Sequence, residues 1–313
     1  MPVAFERFVL GAGHHQGRGK VQCQILFAHC TSMVKEAWRP LYSHLNDALD
    51  ARGIAAEAIG FDFSLHGSTG RRNLTKDQKK AGKRLKWIEF CPNDIFSVLE
   101  KVRRPKVPLV GVGHSMGGAG LTFAELERPG TFDHLILYEP ILRPPGEQPS
   151  GVSPMVTGTL KRRCKWSSRD EARSYLAQRG FYKAIDSRVL DAFVAHGIND
   201  EGELKCTRED EARCYSNDGQ SEKSVWGSLS NARSPQVDVW AGGSSVHLLS
   251  LSTAYKSVEE FSRALQAAFP PGAGTHRVFE SRGHFAPLDD PEWFALEIAK
   301  AVFRKGEARR AHL

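Results

Sequence analysis

No stretch of the 313-residue sequence approaches eighteen consecutive apolar residues, so a transmembrane helix is excluded. The six cysteines (Cys23, Cys30, Cys91, Cys164, Cys206 and Cys214) are scattered and form no C-x-x-C pair. Neither a zinc finger nor a dithiol redox motif can be built from that spacing. No metal and no cofactor are expected. The start, Met1-Pro2-Val3-Ala4-Phe5-Glu6-Arg7, lacks a basic stretch followed by an apolar one, so no secretory signal is expected. Without one, the thiols read as reduced and intracellular rather than as a disulfide framework. Internal repeats are absent too. Wholesale disorder is ruled out, because apolar residues make up 41% and charged residues 25%, ordinary globular proportions.

The net charge is +7, and much of the excess sits between Arg71 and Lys86, where eight Lys or Arg face one Asp. The segment Arg304–Arg310 is also basic. Neither run carries interleaved aromatics, so each reads as a solvated surface and no nucleic-acid partner is expected.

What is present is alternation. Short apolar runs that read as strands (Phe5–Leu10, Val21–Phe27, Ala55–Phe61, Val107–Val112, Leu135–Tyr138, Val237–Trp240 and His276–Phe279) alternate with longer amphipathic ones. Trp38–Arg52, Pro92–Val102, Gly117–Glu127, Ser257–Ala268 and Pro291–Phe303 read as helices. This order predicts an α/β fold with a mostly parallel central sheet flanked by helices. Between Pro140 and about Ser234 the pattern becomes polar and helical in period (Arg169–Arg179, Ser187–His196, Arg208–Tyr215), with no clear strand. The expected plan is a core of residues 1–140 and 235–313 interrupted by a helical cap or lid at 141–234. That interruption is far longer than a usual connection.

The strongest local signal is Gly111-Val112-Gly113-His114-Ser115-Met116-Gly117-Gly118, a G-x-S-x-G between a strand and a helix. A strand that turns this sharply into a helix holds the serine in a strained conformation with its hydroxyl exposed. Side chains two positions either side would collide across the turn, hence the glycines. Ser115 is the candidate nucleophile, and the Met116 N–H at the helix start can donate to a developing oxyanion. A serine hydroxyl needs a neutral imidazole to take its proton. Among the twelve histidines, His284 follows a strand, sits beside Gly283 and precedes the Asp290-Pro291 helix start. It is the candidate base.

These motifs resemble those of α/β-hydrolase fold serine hydrolases, and the resemblance covers nearly the whole chain. Asp62-Phe63-Ser64-Leu65-His66-Gly67-Ser68 is similar to the family's D-x-R-x-H-G-x-S segment, with Ser64 in place of the arginine. Ser281-Arg282-Gly283-His284-Phe285 resembles the segment that supplies the base. Asp290-Pro291-Glu292-Trp293-Phe294 is similar to the helix start after it. By the same resemblance His66 and His114 occupy structural positions near the site.

The family's acid usually follows its seventh strand in a segment like A-G-x-x-D. Here that segment is Ala241-Gly242-Gly243-Ser244-Ser245, without a carboxylate, and Asp238 lies inside the preceding strand. The alternative place follows the family's sixth strand, where the sequence offers Glu139. A glutamate ending a buried strand is costly to bury without a partner, so it is either the triad acid or a structural ion pair. Resemblance also implies a second oxyanion donor in Phe27-Ala28-His29-Cys30-Thr31-Ser32. Thr31 is the first candidate and Cys30, standing where glycine is common, the next.

A narrower resemblance rests on Phe27-Ala28-His29, on Lys35-Glu36-Ala37-Trp38-Arg39-Pro40-Leu41, and on Gly202-Glu203-Leu204-Lys205-Cys206 with Glu211-Ala212. These are similar to a fungal and bacterial subgroup of peroxisomal lipase-like and toxin-biosynthesis hydrolases. Ala311-His312-Leu313 fits the small–basic–aliphatic type of peroxisomal address, implying an import receptor as partner and a peroxisomal matrix location, otherwise cytoplasmic. The expected activity is hydrolysis of carboxylic esters with a lipophilic acyl group through Ser115, His284 and Glu139. Thioester or C–C hydrolysis and acyl transfer use the same triad, and a hydrolase-fold binding protein without turnover is the remaining alternative. Epoxide and haloalkane hydrolysis are disfavoured, because the resemblance implies an aspartate where this chain has Ser115.

Overall fold

A computed structural model describes residues 3–11, 20–70, 87–145, 154–216, 225–245, 250–251 and 254–310. The basic run 71–86 and the tripeptide Ala311-His312-Leu313 lie outside these residues. Among the described residues seven strands form one sheet: β1 (Phe5–Leu10), β2 (Cys23–Ala28), β3 (Ala56–Phe61), β4 (Leu109–His114), β5 (His134–Tyr138), β6 (Val237–Gly242) and β7 (His276–Phe279). Their order across the sheet is β1-β3-β2-β4-β5-β6-β7. Only β1 runs antiparallel to its neighbour; every other pairing is parallel.

Strands β2 to β6 are buried along their whole length, which is why they read as near-continuous apolar runs. Period-two alternation sorts their side chains. Ile25, Phe27, Val110, Val112, Ile136 and Tyr138 face α1 (Arg39–Asp50) and the last helix, Pro291–Arg310. Leu26, Ile59, Phe61, Leu135, Leu137 and Val239 face the opposite layer. That layer is α2 (Trp87–Val102), α3 (Met116–Glu127) and a later helix, Val258–Ala268. Helix α2 starts before Pro92, where the sequence pattern placed its beginning. Phe90 and Cys91 are buried in the core, and that packing outweighs the donor lost at the internal proline.

Between β5 and β6 the chain makes α4 (Pro154–Lys161), α5 (Arg169–Leu176), α6 (Ser187–Gly197) and α7 (Arg208–Ser216). Isolated bridges (Lys165 to Glu203 and Ile198 to Leu204) are its only β pairings among the described residues. Ser168 caps α5 by accepting from the Glu171 N–H and Asp186 caps α6 by accepting from the Arg188 N–H. After β6 come α8 (Val258–Ala268), the one-turn α9 (Ala286–Asp289) and α10 (Pro291–Arg310). The helical insertion has its own apolar cluster, in which Trp166, Tyr182, Val189 and Phe193 pack on Cys30, Met33, Val34 and Leu288. Its floor is therefore the loop that leaves β2. None of the six cysteines is joined to another in a disulfide.

Candidate active site

Ser115 is the hinge between β4 and α3, with φ 56° and ψ −116°, a region L-residues rarely enter. It occupies the N-cap position, where serine ordinarily accepts a helix N–H, yet its side chain makes no capping bond. The turn is held by backbone: the Ser115 N–H donates to Tyr138 O at 3.0 Å, and Ser115 O accepts from Ala119 N at 3.1 Å. Both glycines of the motif are sterically required. A Cβ on Gly117 would stand 2.0 Å from Ala28 O, and one on Gly113 would stand 2.6 Å from the Gly118 Cα. The close approach at Gly117 presses the loop after β2 against the start of α3. Met116, the first residue of α3, has an N–H without an intrahelical acceptor.

Register brings Glu139 beside the elbow. His114 on β4 pairs with Tyr138 on β5, so Ser115 and Glu139 are the next residues on neighbouring parallel strands. Glu139 is fully buried and also has a positive φ, +44°. Its Oε1 accepts from the Gly242 N–H at 2.9 Å and its Oε2 from the Ser245 hydroxyl at 2.7 Å. The same Oε2 lies 2.6 Å from His284 Nδ1.

His284 lies on the loop after β7, and that loop is tied to three strand ends. The His114 Nε2–H donates to His284 O at 2.8 Å, and the Tyr138 hydroxyl donates to Gly283 O at 2.7 Å. Ser244 donates to Arg282 O from its backbone at 3.0 Å and from its hydroxyl at 2.6 Å. Burial pushes the His284 imidazole down to about 3, so the resting ring is neutral, the form able to accept a proton. The carboxylate at Nδ1 fixes the tautomer with Nε2 unprotonated and favours the imidazolium once a proton arrives.

The predicted oxyanion residues lie on the loop beside Gly117. Met33 N donates to Cys30 O at 3.2 Å, closing a turn in which Ser32 has φ 74°. His29 supports that turn: its Nδ1–H donates to Cys30 O at 2.7 Å and its Nε2 accepts from the Phe63 N–H at 3.2 Å. Cys30 is buried, and burial pushes its thiol up to about 12, the opposite of a nucleophilic thiolate. Asp62 accepts from Lys35 N and Ser68 N, both at 2.8 Å, and from Lys35 Nζ at 3.1 Å, so it ties the segments around Lys35 and Ser68 together. Ser64, where the family motif has arginine, binds Asp94 through its N–H and its hydroxyl. Asp238 pairs with His134 at 3.0 Å, away from Glu139 and within the body of the sheet. The sequence placed His114 in a structural position near the site, but the holding roles of Ser245 and Tyr138 were not foreseen. For Ser245 a signal existed, because it stands at the D position of the A-G-x-x-D segment.

A model of the alpha/beta hydrolase family matches residues 25–297, and the chain belongs to that family. It is 28% identical over 226 residues to the abhydrolase domain-containing protein ACTT2 of Alternaria alternata, a match covering 61% of this chain and 82% of that protein. It is 30% identical over 182 residues to the type I acyl-CoA thioesterase mpaH of Penicillium brevicompactum, covering 55% of this chain and 39% of that longer protein. In fold it is similar to the peroxisomal alpha-beta-hydrolase Lpx1 of Saccharomyces cerevisiae. That likeness has a TM-score of 0.73 at 16% identity, over 97% of this chain and 89% of the other. No helix among the described residues is long and apolar enough to cross a membrane.

Proposed function

We propose that the chain is a serine hydrolase that cleaves carboxylic esters through Ser115, His284 and Glu139. The observation that carries this reading is the 2.6 Å contact of His284 Nδ1 with Glu139 Oε2, made beside a strained serine on the neighbouring strand end. His284 Nε2 takes the Ser115 proton as Oγ attacks the acyl carbon, and Glu139 stabilises the imidazolium. The N–H groups of Met116 and Thr31, with Cys30 next to it, receive the oxyanion. The imidazolium then protonates the departing alkoxide. Water, deprotonated by the same ring, releases the acid and restores Ser115.

In this proposal the insertion at 141–234 is a lid bounding the acyl pocket. The stacking of Phe181 on Phe285, with ring centroids 4.6 Å apart, supports it by joining the insertion to the residue after His284. Exposed Met155 and Leu160 on α4 support a lipophilic substrate. The likeness to an acyl-CoA thioesterase favours a second reading, thioester cleavage by the same steps. The peroxisomal address of Ala311-His312-Leu313 is carried as a proposal alone, tested by whether a reporter ending in residues 300–313 enters peroxisomes.

Fluorophosphonate labelling mapped by mass spectrometry tests the core of the reading. Label on Ser115 is expected. A folded protein that takes none is a binding protein, and the hydrolase proposal fails. Parallel assays with p-nitrophenyl acyl esters and acyl-CoA then separate ester from thioester cleavage.

A further inference from the structure

The polar interior of the insertion meets the loop that carries the proposed second oxyanion donor. Glu211 on α7 is buried, its side chain 2% exposed, and it forms a two-pronged ion pair with Arg162 at the end of α4. The same carboxylate lies in the neighbourhood of Ser32, Tyr215 and Thr159. The Tyr215 hydroxyl also lies 3.3 Å from Ser32 Oγ. Burial alone pushes the Glu211 carboxyl up, and the Arg162 guanidinium opposes that rise. Ser32 is the third residue of the Cys30–Met33 turn and has φ 74°, a position that favours glycine. A serine held there carries a backbone penalty, which persists only where its surroundings over-determine it. Those surroundings are Glu211 and Tyr215, both supplied by the insertion. Beside the turn lies a small space of about 10 Å³, room for one water at most, whose lining includes Ser32, Met33, Gly67 and Arg162.

We infer that Arg162, Glu211 and Tyr215 are positioning residues that clamp Ser32 and thereby set the Cys30–Thr31 N–H groups for the oxyanion. This rests on the proposed triad. Arg162 aims the Glu211 carboxylate through its two-pronged contact. Glu211 and Tyr215 hold the Ser32 side chain, and the strained turn keeps its donors pointed at the space beside the Met116 N–H. The insertion would then act on the chemical step as well as on substrate choice.

The test uses the full chain, a p-nitrophenyl acyl ester, and an alkyl trifluoromethyl ketone, which Ser115 would attack to form a tetrahedral oxyanion. Glu211→Gln and the milder Tyr215→Phe are expected to lower kcat by roughly 10- to 100-fold with KM within about twofold, approaching the loss of one oxyanion donor. Affinity for the ketone should fall by a similar factor. Adding Ser32→Gly to Glu211→Gln should recover most of the loss, because glycine takes the positive φ without a clamp. The inference is overturned if both folded variants keep wild-type kcat and ketone affinity, or if Ser32→Gly recovers nothing. Should Glu211→Gln fail to fold, Tyr215→Phe alone decides by the same two readouts. Fluorophosphonate on the wild type separates the two proposals: unlabelled Ser115 removes both, and labelled Ser115 with unaffected variants removes only the clamp.

Discussion

Ser245 donates its hydroxyl to Glu139 Oε2 at 2.7 Å, so the residue at the D position of the A-G-x-x-D segment holds the carboxylate that follows the neighbouring strand. The interaction crosses from β6 to β5. It leaves Oε2 shared between a fixed hydroxyl and His284 Nδ1, and that hydroxyl limits how far the carboxylate can swing.

Removing that carboxylate tests the proposed acid. Glu139→Gln is expected to lower kcat/KM by about 10³- to 10⁴-fold, through loss of the correct imidazole tautomer and of imidazolium stabilisation. Ser245→Ala should cost roughly tenfold, as an orienting partner does. Ser245→Asp alone sets two carboxylates against each other and should be worse than Ser245→Ala. In the Glu139→Gln background the same aspartate should raise activity. If it does not, residue 245 cannot supply the acid.

The elbow admits no side chain at Gly117. Gly117→Ala places a Cβ 2.0 Å from Ala28 O, backbone against backbone, and should destabilise the fold by about 3 kcal/mol or more. Urea unfolding monitored by tryptophan fluorescence reads this directly. An unchanged midpoint would mean that the β2 loop is free to withdraw.

Acid should unfold the protein through two neighbouring histidines. Burial lowers His29 to about 4 and His66 to about 3, and their rings lie 5.2 Å apart. Both are neutral when folded and protonate once unfolded. Their contribution is therefore complete above pH 6.5 and is lost as pH falls toward the folded values, at about 1.4 kcal/mol per unit for each ring. Melting temperature should drop steadily from pH 6.5 to 4.5, and His66→Gln should flatten the slope. In the range where the protein stays folded, kcat/KM should bend below pH 6.5, because burial lowers His284 too.

Thiol chemistry should leave activity intact. Five of the six cysteines are buried, and burial pushes Cys23 and Cys30 up to about 12. Native protein titrated with Ellman's reagent should show one accessible thiol, Cys164, and lose no esterase activity. Inactivation that tracks Cys30 modification would contradict its place as packing.

Strands were legible because their signal is local. β1 and β7 end at the residues where the apolar runs end, and β2 to β6 differ from them by one or two positions. Helix α2 began earlier than its proline suggested, and α4 and α9 escaped notice because a helix of eight or four residues shows too little period. Ser115 and His284 stood out because strand-turn-helix chemistry surrounds each. Glu139 could be placed at a strand end, but its partners could not. Gly242 and Ser245 lie more than a hundred positions further along the chain, and their contacts follow from β5 and β6 lying side by side. The Glu211–Ser32 contact joins residues just as remote, and no periodicity in either segment announces it.

Glu139 is also the residue at which the sheet ends and the long excursion toward α4 begins. On the proposed function, substrate covering and imidazole orientation would be wired in series on one stretch of backbone. Drift in the segment just after Pro140 would be felt at His284 before it altered any pocket wall. On that reading, a foreign insertion grafted at this junction would have to keep the Glu139 carboxylate within reach of His284 Nδ1.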